Sequence, residues 1–189
     1  LVGALAEAGD AFGLAEAVNG ATGTFEVQPS VGELLGGRGF VGSWLVKGLL
    51  ERGGSVISLD REGGSSRSSG LGLLGIEGEV EEVAGDLRDP EIVARTLSEG
   101  GVDSVFHLAA RVHQMHDTAP DPLAAFRAAN TDWTVRLAKL AAEAGVERFV
   151  FLSTVKVHGP PTSEPFRESH PPAPDDAYAL SKWEAEQAL

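Results

Sequence analysis

The sequence predicts an α/β fold in which a parallel, doubly wound sheet carries helices on both faces. Short apolar runs alternate with segments of helical spacing along the chain, as in consecutive βαβ units. A glycine cluster at residues 36–42 separates the first predicted strand from the first predicted helix. The predicted strand at residues 103–108 is largely apolar, which is typical of a strand buried on both faces.

Five strands are predicted from the apolar runs. They lie at residues 31–35, 55–59, 79–84, 103–108 and 148–152. Gly32 and Glu33 interrupt the first of them and leave its pairing in doubt. The second strand ends at Asp60. Residues 62–75, which follow it, are rich in Gly and Ser and are predicted to form a mobile loop.

Four helices are predicted between and after these strands. They lie at residues 40–52, 89–98, 121–144 and 176–189. The first carries Leu45 and Leu49 on one side, at helical spacing. Pro90 and Pro122 suit the first turns of the second and third helices, and Gly145 is expected to end the third.

The composition fits one globular domain and excludes several classes of function. Hydrophobic residues make up 42% of the 189 residues, which is enough to bury a core. The chain has no cysteine, so disulfides and thiolate metal sites are excluded. The formal net charge of −13 argues against a nucleic-acid partner, which would require a surplus of Lys and Arg. It does not exclude an anionic cofactor, because backbone amides at a helix N-terminus can hold phosphates.

The N-terminal region has no clear place in the predicted fold. Residues 1–30 are interpreted as an extension of uncertain structure, and the domain is predicted over residues 31–189. Residues 20–26 imitate a dinucleotide loop, but Glu26 stands where the third glycine should be. No apolar run approaches the roughly 18 residues of a membrane span, and the N-terminus does not resemble a signal peptide. A cytoplasmic protein without a membrane partner is therefore expected.

The glycine cluster has the spacing of a dinucleotide-binding loop. It reads G-x-x-G-x-x-G from Gly36 and G-x-G-x-x-G from Gly37. Glycine permits the tight turn, the close approach of the backbone to a pyrophosphate, and close packing of helix on strand. Such clusters are common and therefore weak evidence alone. The residues predicted to contact the cofactor here are Gly36, Gly39, Phe40, Val41 and Gly42.

Asp60 strengthens this interpretation because it stands at the end of the next strand. A carboxylate at that position can accept hydrogen bonds from a ribose diol and repels a 2′-phosphate, so NAD is predicted in preference to NADP. Taken alone, Asp60 also fits an ordinary turn residue at a strand end. Arg38 and Arg61 leave NADP open, because either guanidinium could reach a 2′-phosphate.

Tyr178 and Lys182 are four residues apart and are predicted to share one helix face. A free phenol has a pKa near 10 and is a poor base at neutral pH. We expect the nearby ammonium of Lys182 to draw the pKa of Tyr178 toward the working pH, where general acid–base catalysis is efficient. The bare pattern is common, and an ordinary amphipathic helix explains it equally well in isolation.

The histidines do not predict a metal site. His113 and His116 are three residues apart and could share a metal, but solvated loop histidines are the more common case. His107 lies inside a strand and is interpreted as a buried, hydrogen-bonded imidazole. The acidic tract at residues 77–82 is interpreted as a solvated edge.

Taken in order, these motifs resemble the extended short-chain dehydrogenase/reductase family, the NAD-dependent epimerases and dehydratases of nucleotide-activated sugars. The resemblance covers about residues 31–189. It includes the glycine cluster, Asp60, Gly85-Asp86-Leu87, His107-Leu108-Ala109-Ala110, Asn130, Ser153-Thr154 with Gly159, and Tyr178 with Lys182. Residues 121–127 and 181–186 are similar to runs in bacterial UDP-N-acetylhexosamine 4-epimerases and UDP-quinovosamine 4-dehydrogenases of surface-polysaccharide synthesis.

The resemblance implies a Rossmann-like NAD(P)-binding domain that is truncated before a C-terminal substrate domain. It implies that Thr154 hydrogen-bonds the reacting sugar oxygen, that Tyr178 is the base, and that Lys182 binds the nicotinamide ribose and tunes Tyr178. It also implies that Asn130 helps to fix the architecture of the active site. The further cofactor-binding residues it implies are Asp60, Asp86, Leu87, Leu108, Ala109, Ala110 and Asn130, together with Tyr178 and Lys182, and Arg61 beside Asp60 is predicted to contact the cofactor as well.

The resemblance also indicates a reaction at C4 of a UDP-hexose through a 4-keto sugar, by an epimerase or a 4-dehydrogenase/reductase. The family's dehydratases carry an Asp-Glu pair directly after the Ser/Thr, and here Val155 and Lys156 disfavour dehydration. A homodimer is implied for the full-length protein, whereas this chain alone is expected to bind cofactor weakly and to turn over no sugar. The alternative is a non-catalytic NAD(P)-binding module. Trp133 and His158 depart from the family pattern, and Trp133 is expected to loosen the helix packing.

Overall fold

The computed structural model of this chain describes residues 31–35, 37–60, 70–76, 80–112 and 119–189. The predicted extension at residues 1–30 lies outside these ranges, as do the predicted site residues Gly36 and Arg61 and the pair His113 and His116.

The described residues form a parallel five-stranded sheet. Its strands are β1 (Val31–Leu35), β2 (Ser55–Asp60), β3 (Glu81–Ala84), β4 (Ser104–His107) and β5 (Arg148–Phe151), in the order β3–β2–β1–β4–β5. The order reverses between β1 and β4, so the predicted doubly wound sheet is confirmed. Despite the doubt raised by its sequence, β1 pairs on both sides: Gly32 lies opposite Val56 of β2 and Ser104 of β4.

Within the described ranges, six α-helices connect and follow the strands. They are α1 (Phe40–Leu50), α2 (Gly70–Leu74), α3 (Pro90–Glu99), α4 (Pro122–Phe126), α5 (Trp133–Glu143) and α6 (Ala177–Ala188). A π-helix at Arg127–Asp132 joins α4 to α5, and a 3-10 helix at Val155–His158 follows β5. Aspartates cap α3, α4 and α6: the carboxylates of Asp89, Asp121 and Asp176 accept hydrogen bonds from amides of the first turns.

The core covers both faces of the sheet because neighbouring strand residues point to opposite sides. Ile57 packs with residues of α3 and α5, whereas Val56 packs with residues of α1 and α2. Trp133 is 7% exposed and belongs to the first of these clusters, so the expected loosening at this residue is not seen. None of the described helices has both the length and the hydropathy needed to span a bilayer.

Two predicted segments differ from the structure. Part of the predicted mobile loop is helical, because α2 buries Leu71 completely against the sheet face that α1 covers. The predicted continuous helix at residues 121–144 is divided into α4, the π-helix and α5. Both differences arise from tertiary packing, which overrides local propensity.

Candidate active site

The predicted site residues that the structure describes lie at one edge of the sheet, where the carboxyl ends of the parallel strands lie together. The glycine loop follows β1, Asp60 ends β2, and Asp86 and Leu87 follow β3. Leu108, Ala109 and Ala110 follow β4, and Thr154 lies shortly after β5. The topology therefore brings together residues that are separated by more than a hundred positions in the sequence.

The N-terminus of α1 is suited to hold a phosphate group. Gly39 precedes the helix in an extended conformation and, as a glycine, has no side chain to cap the amides of the first turn. The helix dipole and these amides together favour an anion. Phe40 is 82% exposed at this end, while Gly42 is buried where α1 approaches the sheet. These features fit the pyrophosphate of a dinucleotide.

Asp60 sits in a network at the end of β2. Its carboxylate accepts a hydrogen bond from the Ser58 hydroxyl, 2.8 Å away, and another from the backbone amide of Arg38. Burial raises the pKa of Asp60, while these hydrogen bonds and the Arg38 charge oppose the rise. The network holds a carboxylate beside the glycine loop, at the place where the ribose of a dinucleotide would lie.

Glu82 lies beside the glycine loop, although the sequence did not predict it as part of the site. The acidic tract at residues 77–82 was expected to be a solvated edge. Residues 77–79 of that tract lie outside the described ranges, and Glu81 is exposed as expected. The Glu82 side chain is only 17% exposed, however, and its Oε2 atom lies 3.7 Å from a guanidinium nitrogen of Arg38. The signal available in the sequence was the alternation of strand residues, which turns Glu82 away from the face that Glu81 occupies.

Asp86 and Leu87 differ in their surroundings. The Asp86 carboxylate accepts hydrogen bonds from the backbone amide and guanidinium of Arg88 and remains near solvent. Leu87 packs against the core beneath α3. Gly85, which precedes these two residues, lets the backbone pass close to the Ile92 side chain of α3. A Cβ atom at residue 85 would lie 2.8 Å from a methyl group of Ile92.

Thr154, Tyr178 and Lys182 come together at the N-terminal half of α6. The Tyr178 hydroxyl is hydrogen-bonded to Thr154, and the Tyr178 ring meets Phe126 edge-on at 6.1 Å. Lys182 lies one turn further along α6 and is 1% exposed. Its ammonium nitrogen is 3.8 Å from the centre of the Phe151 ring. The arrangement places a phenol, a hydroxyl and a buried amine at one sheet edge.

The ionisation of these groups differs from the sequence-based expectation. Burial raises the pKa of Tyr178, and the opposing influences are the Thr154 hydrogen bond and the charge of Lys156. Burial also lowers the pKa of Lys182 to about 7, against the opposing charge of Glu186. An amine with that pKa is half neutral at pH 7, so it is a weaker source of positive charge than we expected.

Asn130 links the segment after β4 to α6. It is 1% exposed, its side-chain oxygen accepts from the Arg111 amide at 2.8 Å, and its side-chain nitrogen donates to the Arg111 carbonyl and the Ser181 hydroxyl at 3.0 Å. Thr131 adds a hydrogen bond to the Ser181 carbonyl at 2.8 Å. Asn130 and Thr131 belong to the π-helix, and insertions of this kind are frequent at functional sites.

His107 is a buried, hydrogen-bonded imidazole, as predicted. The Thr134 hydroxyl donates to the Asn130 carbonyl at 2.6 Å, so it accepts from Nε2 of His107 at 2.9 Å. Burial, with the charge of Lys182, lowers the pKa of His107 to about 3. The Phe151 ring stacks on this neutral imidazole at 5.7 Å, while Lys182 lies against Phe151.

Lys156 occupies a second position that sequence reasoning did not assign to the site. Its ammonium lies 2.7 Å from the carboxylate of Asp176, which also caps α6. The two residues border an open cleft of about 570 Å³ that is also lined by the proline-rich segment at residues 160–166. The described residues contain no group of three or more side chains suited to hold a metal ion.

Comparison with known proteins identifies relatives of the chain. The sequence profile of the NAD dependent epimerase/dehydratase family matches residues 33–189. A UDP-glucose 4-epimerase from Vibrio cholerae is 38% identical over 158 residues, which cover 82% of this chain and 45% of that relative. The chain thus spans about half the length of the curated relatives it matches.

Solved structures of an epimerase and of a dehydratase resemble the fold of this chain about equally well. The UDP-Glc/GlcNAc 4-epimerase of Campylobacter jejuni matches with a TM-score of 0.71 at 26% identity, over 84% of this chain and 47% of that one. A dTDP-glucose 4,6-dehydratase of Streptomyces venezuelae, solved with NAD bound, matches with a TM-score of 0.70 at 33% identity, over 84% of this chain and 50% of that one.

Proposed function

We propose that this chain, which belongs to the NAD dependent epimerase/dehydratase family, carries the cofactor site and catalytic groups of an enzyme acting at C4 of a UDP-hexose. The reaction proceeds through a 4-keto sugar, as an epimerisation or as a 4-oxidation and reduction. The observation that carries the proposal is the hydrogen bond between Tyr178 and Thr154, with Lys182 one turn away, at the sheet edge where α1 begins. The whole protein is proposed to act as a homodimer.

The cofactor in this proposal is NAD, which when bound takes up the hydride from C4 and returns it. The amides at the start of α1 would hold its pyrophosphate, and Asp60 would accept hydrogen bonds from its adenosine ribose. Lys182 would contact its nicotinamide ribose. The uncapped helix start and the carboxylate at the end of β2 support this assignment.

The protein groups move the proton that accompanies this hydride. Tyr178 takes the proton from the 4-hydroxyl in its phenolate form, which the Thr154 hydrogen bond and the Lys156 charge favour, and as the phenol it gives the proton back when the ketone is reduced. Thr154 donates a hydrogen bond to the same sugar oxygen, and its present bond to Tyr178 places the two hydroxyls side by side. Asn130 binds both the Arg111 backbone and the Ser181 hydroxyl, and so fixes the position of α6 relative to the segment that follows β4.

The same site supports dehydration of the sugar less well, although a dehydratase is among the structural relatives. Elimination of water requires an acid and a base beyond Tyr178. Val155 cannot serve as either, and the Lys156 ammonium is paired with Asp176. The aliphatic and cationic side chains after Thr154 therefore favour epimerisation or simple redox chemistry.

The test is an incubation of the whole protein with NAD and a panel of UDP-hexoses. For an epimerase we expect a C4 epimer by nuclear magnetic resonance, with unchanged mass by mass spectrometry. For a 4-dehydrogenase we expect a stoichiometric rise of NADH absorbance with a 4-keto product. A product lighter by one water, made by the unmodified enzyme, would contradict the proposed reaction class. Tight binding of NAD without turnover of any sugar would favour the alternative of a non-catalytic binding module.

A further inference from the structure

Arg38 lies in the glycine loop, from which a guanidinium can reach the 2′-phosphate of NADP, yet two carboxylates face it in the structure. A guanidinium nitrogen of Arg38 is 3.7 Å from Oε2 of Glu82, and these side chains are 12% and 17% exposed. The Arg38 charge also acts on the carboxyl of Asp60. One positive and two negative charges are therefore gathered at the adenosine end of the site.

The register of the sheet explains why Glu82 is part of this group. Glu82 lies opposite Ser58 in the β2–β3 pairing, and Asp60 follows Ser58 by two residues. Side chains two residues apart on a strand share a face, so Ser58, Asp60 and Glu82 share one. Glu81 points to the opposite face and is exposed.

The Glu82 carboxylate is largely buried and depends on a nearby positive charge. Its Oε2 atom is buried and has no hydrogen-bond partner among the described residues. A buried carboxylate in that state is compensated chiefly by a nearby positive charge, and Arg38 provides it. The Arg38 guanidinium is thus the cation that lies beside the buried Glu82 oxygen.

We propose that Glu82 is a second cofactor-specificity residue, which engages Arg38 and so keeps its guanidinium from binding the 2′-phosphate of NADP. Asp60 and Glu82 together outweigh the single charge of Arg38, so a phosphate entering here would meet a net negative group. Glu82 acts through Arg38 and makes no contact with NAD itself. This inference rests on the proposed binding of a dinucleotide.

The experiment is calorimetric titration of the whole protein with NAD and with NADP. In Glu82→Gln, which keeps the shape and removes the charge, we expect NADP to bind about tenfold more tightly, with NAD affinity unchanged within about twofold. The matched control is Glu81→Gln, which removes the same charge from the opposite face of the same strand and should leave both affinities unchanged.

Arg38→Met separates release of Arg38 from simple loss of repulsion. Alone, Arg38→Met should weaken NADP binding, because Asp60 and Glu82 are then unopposed. Adding Glu82→Gln to Arg38→Met should raise NADP affinity by less than about twofold over Arg38→Met, because the tenfold gain requires the released guanidinium. An equal gain from Glu82→Gln with and without Arg38, or no gain in Glu82→Gln, would overturn the inference. If Glu82→Gln does not fold, Glu82→Met takes its place in the same comparison, with the same outcomes.

The outcomes also separate this inference from the proposed function. Normal NAD binding with an unchanged preference between NAD and NADP in Glu82→Gln would overturn the inference and leave the proposed function intact. Failure of the unmodified protein to bind either dinucleotide would overturn both.

Discussion

The two ends of the candidate cofactor site hold their charges in different environments. At the adenosine end, acidic side chains lie near arginines: Glu82 and Asp60 share Arg38, and Asp86 pairs with Arg88 close to solvent. At the catalytic end, Lys182 is buried against the Phe151 ring, and burial lowers its pKa to about 7. Facing charges are suited to bind a polar ligand, whereas a buried amine with a lowered pKa is suited to tune the ionisation of its neighbours.

The largest effect that separates the two ends is expected from Tyr178→Phe. Turnover by the whole protein should fall by about 10²–10⁴-fold, because the phenolic oxygen moves the proton at C4. NAD affinity should be nearly unchanged, since the phenyl ring still packs against Phe126. Steady-state kinetics and calorimetry measure the two quantities. A variant with more than about a tenth of the original rate would show that Tyr178 is not the base.

Lys182→Met tests whether the buried amine controls stability as its pKa implies. A folded-state pKa of about 7, below the ordinary 10.5, means that unfolding takes up a proton between these pH values. The free energy of unfolding contributed by Lys182 should therefore rise with pH through this window, by about 4 kcal/mol at most from pH 7 to 10. Urea unfolding at several pH values should show this rise in the parent and not in the variant.

The matched control for this experiment is Lys139→Met, at an exposed position of α5. It should leave the pH dependence of stability as it is in the parent. Parallel pH profiles for Lys182→Met and Lys139→Met would contradict a buried amine with a lowered pKa. Reduced turnover in Lys182→Met alone would not decide the question, because Lys182 is also proposed to contact the cofactor.

At the adenosine end, Asp60→Ala should give a smaller effect. Removing the carboxylate takes away a ribose acceptor and a charge that repels a 2′-phosphate. We expect the preference for NAD over NADP to narrow by about tenfold in calorimetry. Asp132→Ala, at an exposed position of the π-helix, is the control and should keep the preference of the parent. An undiminished preference in Asp60→Ala would remove Asp60 from the specificity group.

The smallest effect is expected from Lys156→Met, which removes a partly exposed charge near the phenol. The charge of Lys156 lowers the pKa of Tyr178, so its loss should raise that pKa. The acidic limb of the kcat profile should move to higher pH, and only slightly, because solvent screens an exposed cation. Lys156→Arg should restore the original profile. An identical profile in all three proteins would show that Lys156 has no influence on the base.

Local signals in the sequence determined most of the fold. The apolar runs gave all five strands within a few residues, and Asp-Pro at residues 89–90 and 121–122 marked the starts of α3 and α4. Such features depend on side-chain period and on capping, which act over a few residues and are therefore readable from the chain. The position of Asp60 at the end of β2 is likewise a local feature that the sequence predicts.

The tertiary structure decided the features that depend on burial and on distances across the sheet. Three features have no local signal: the π-helix that places Asn130 next to Arg111, the choice of Arg38 as the partner of Glu82, and the lowered pKa of Lys182. Strand alternation indicates which way Glu82 points but not what it meets. Each arises where segments distant in sequence meet at the carboxyl edge of the parallel strands. Electrostatic energies there depend on solvent exclusion and on separations of a few ångströms, which residue spacing along a chain does not specify.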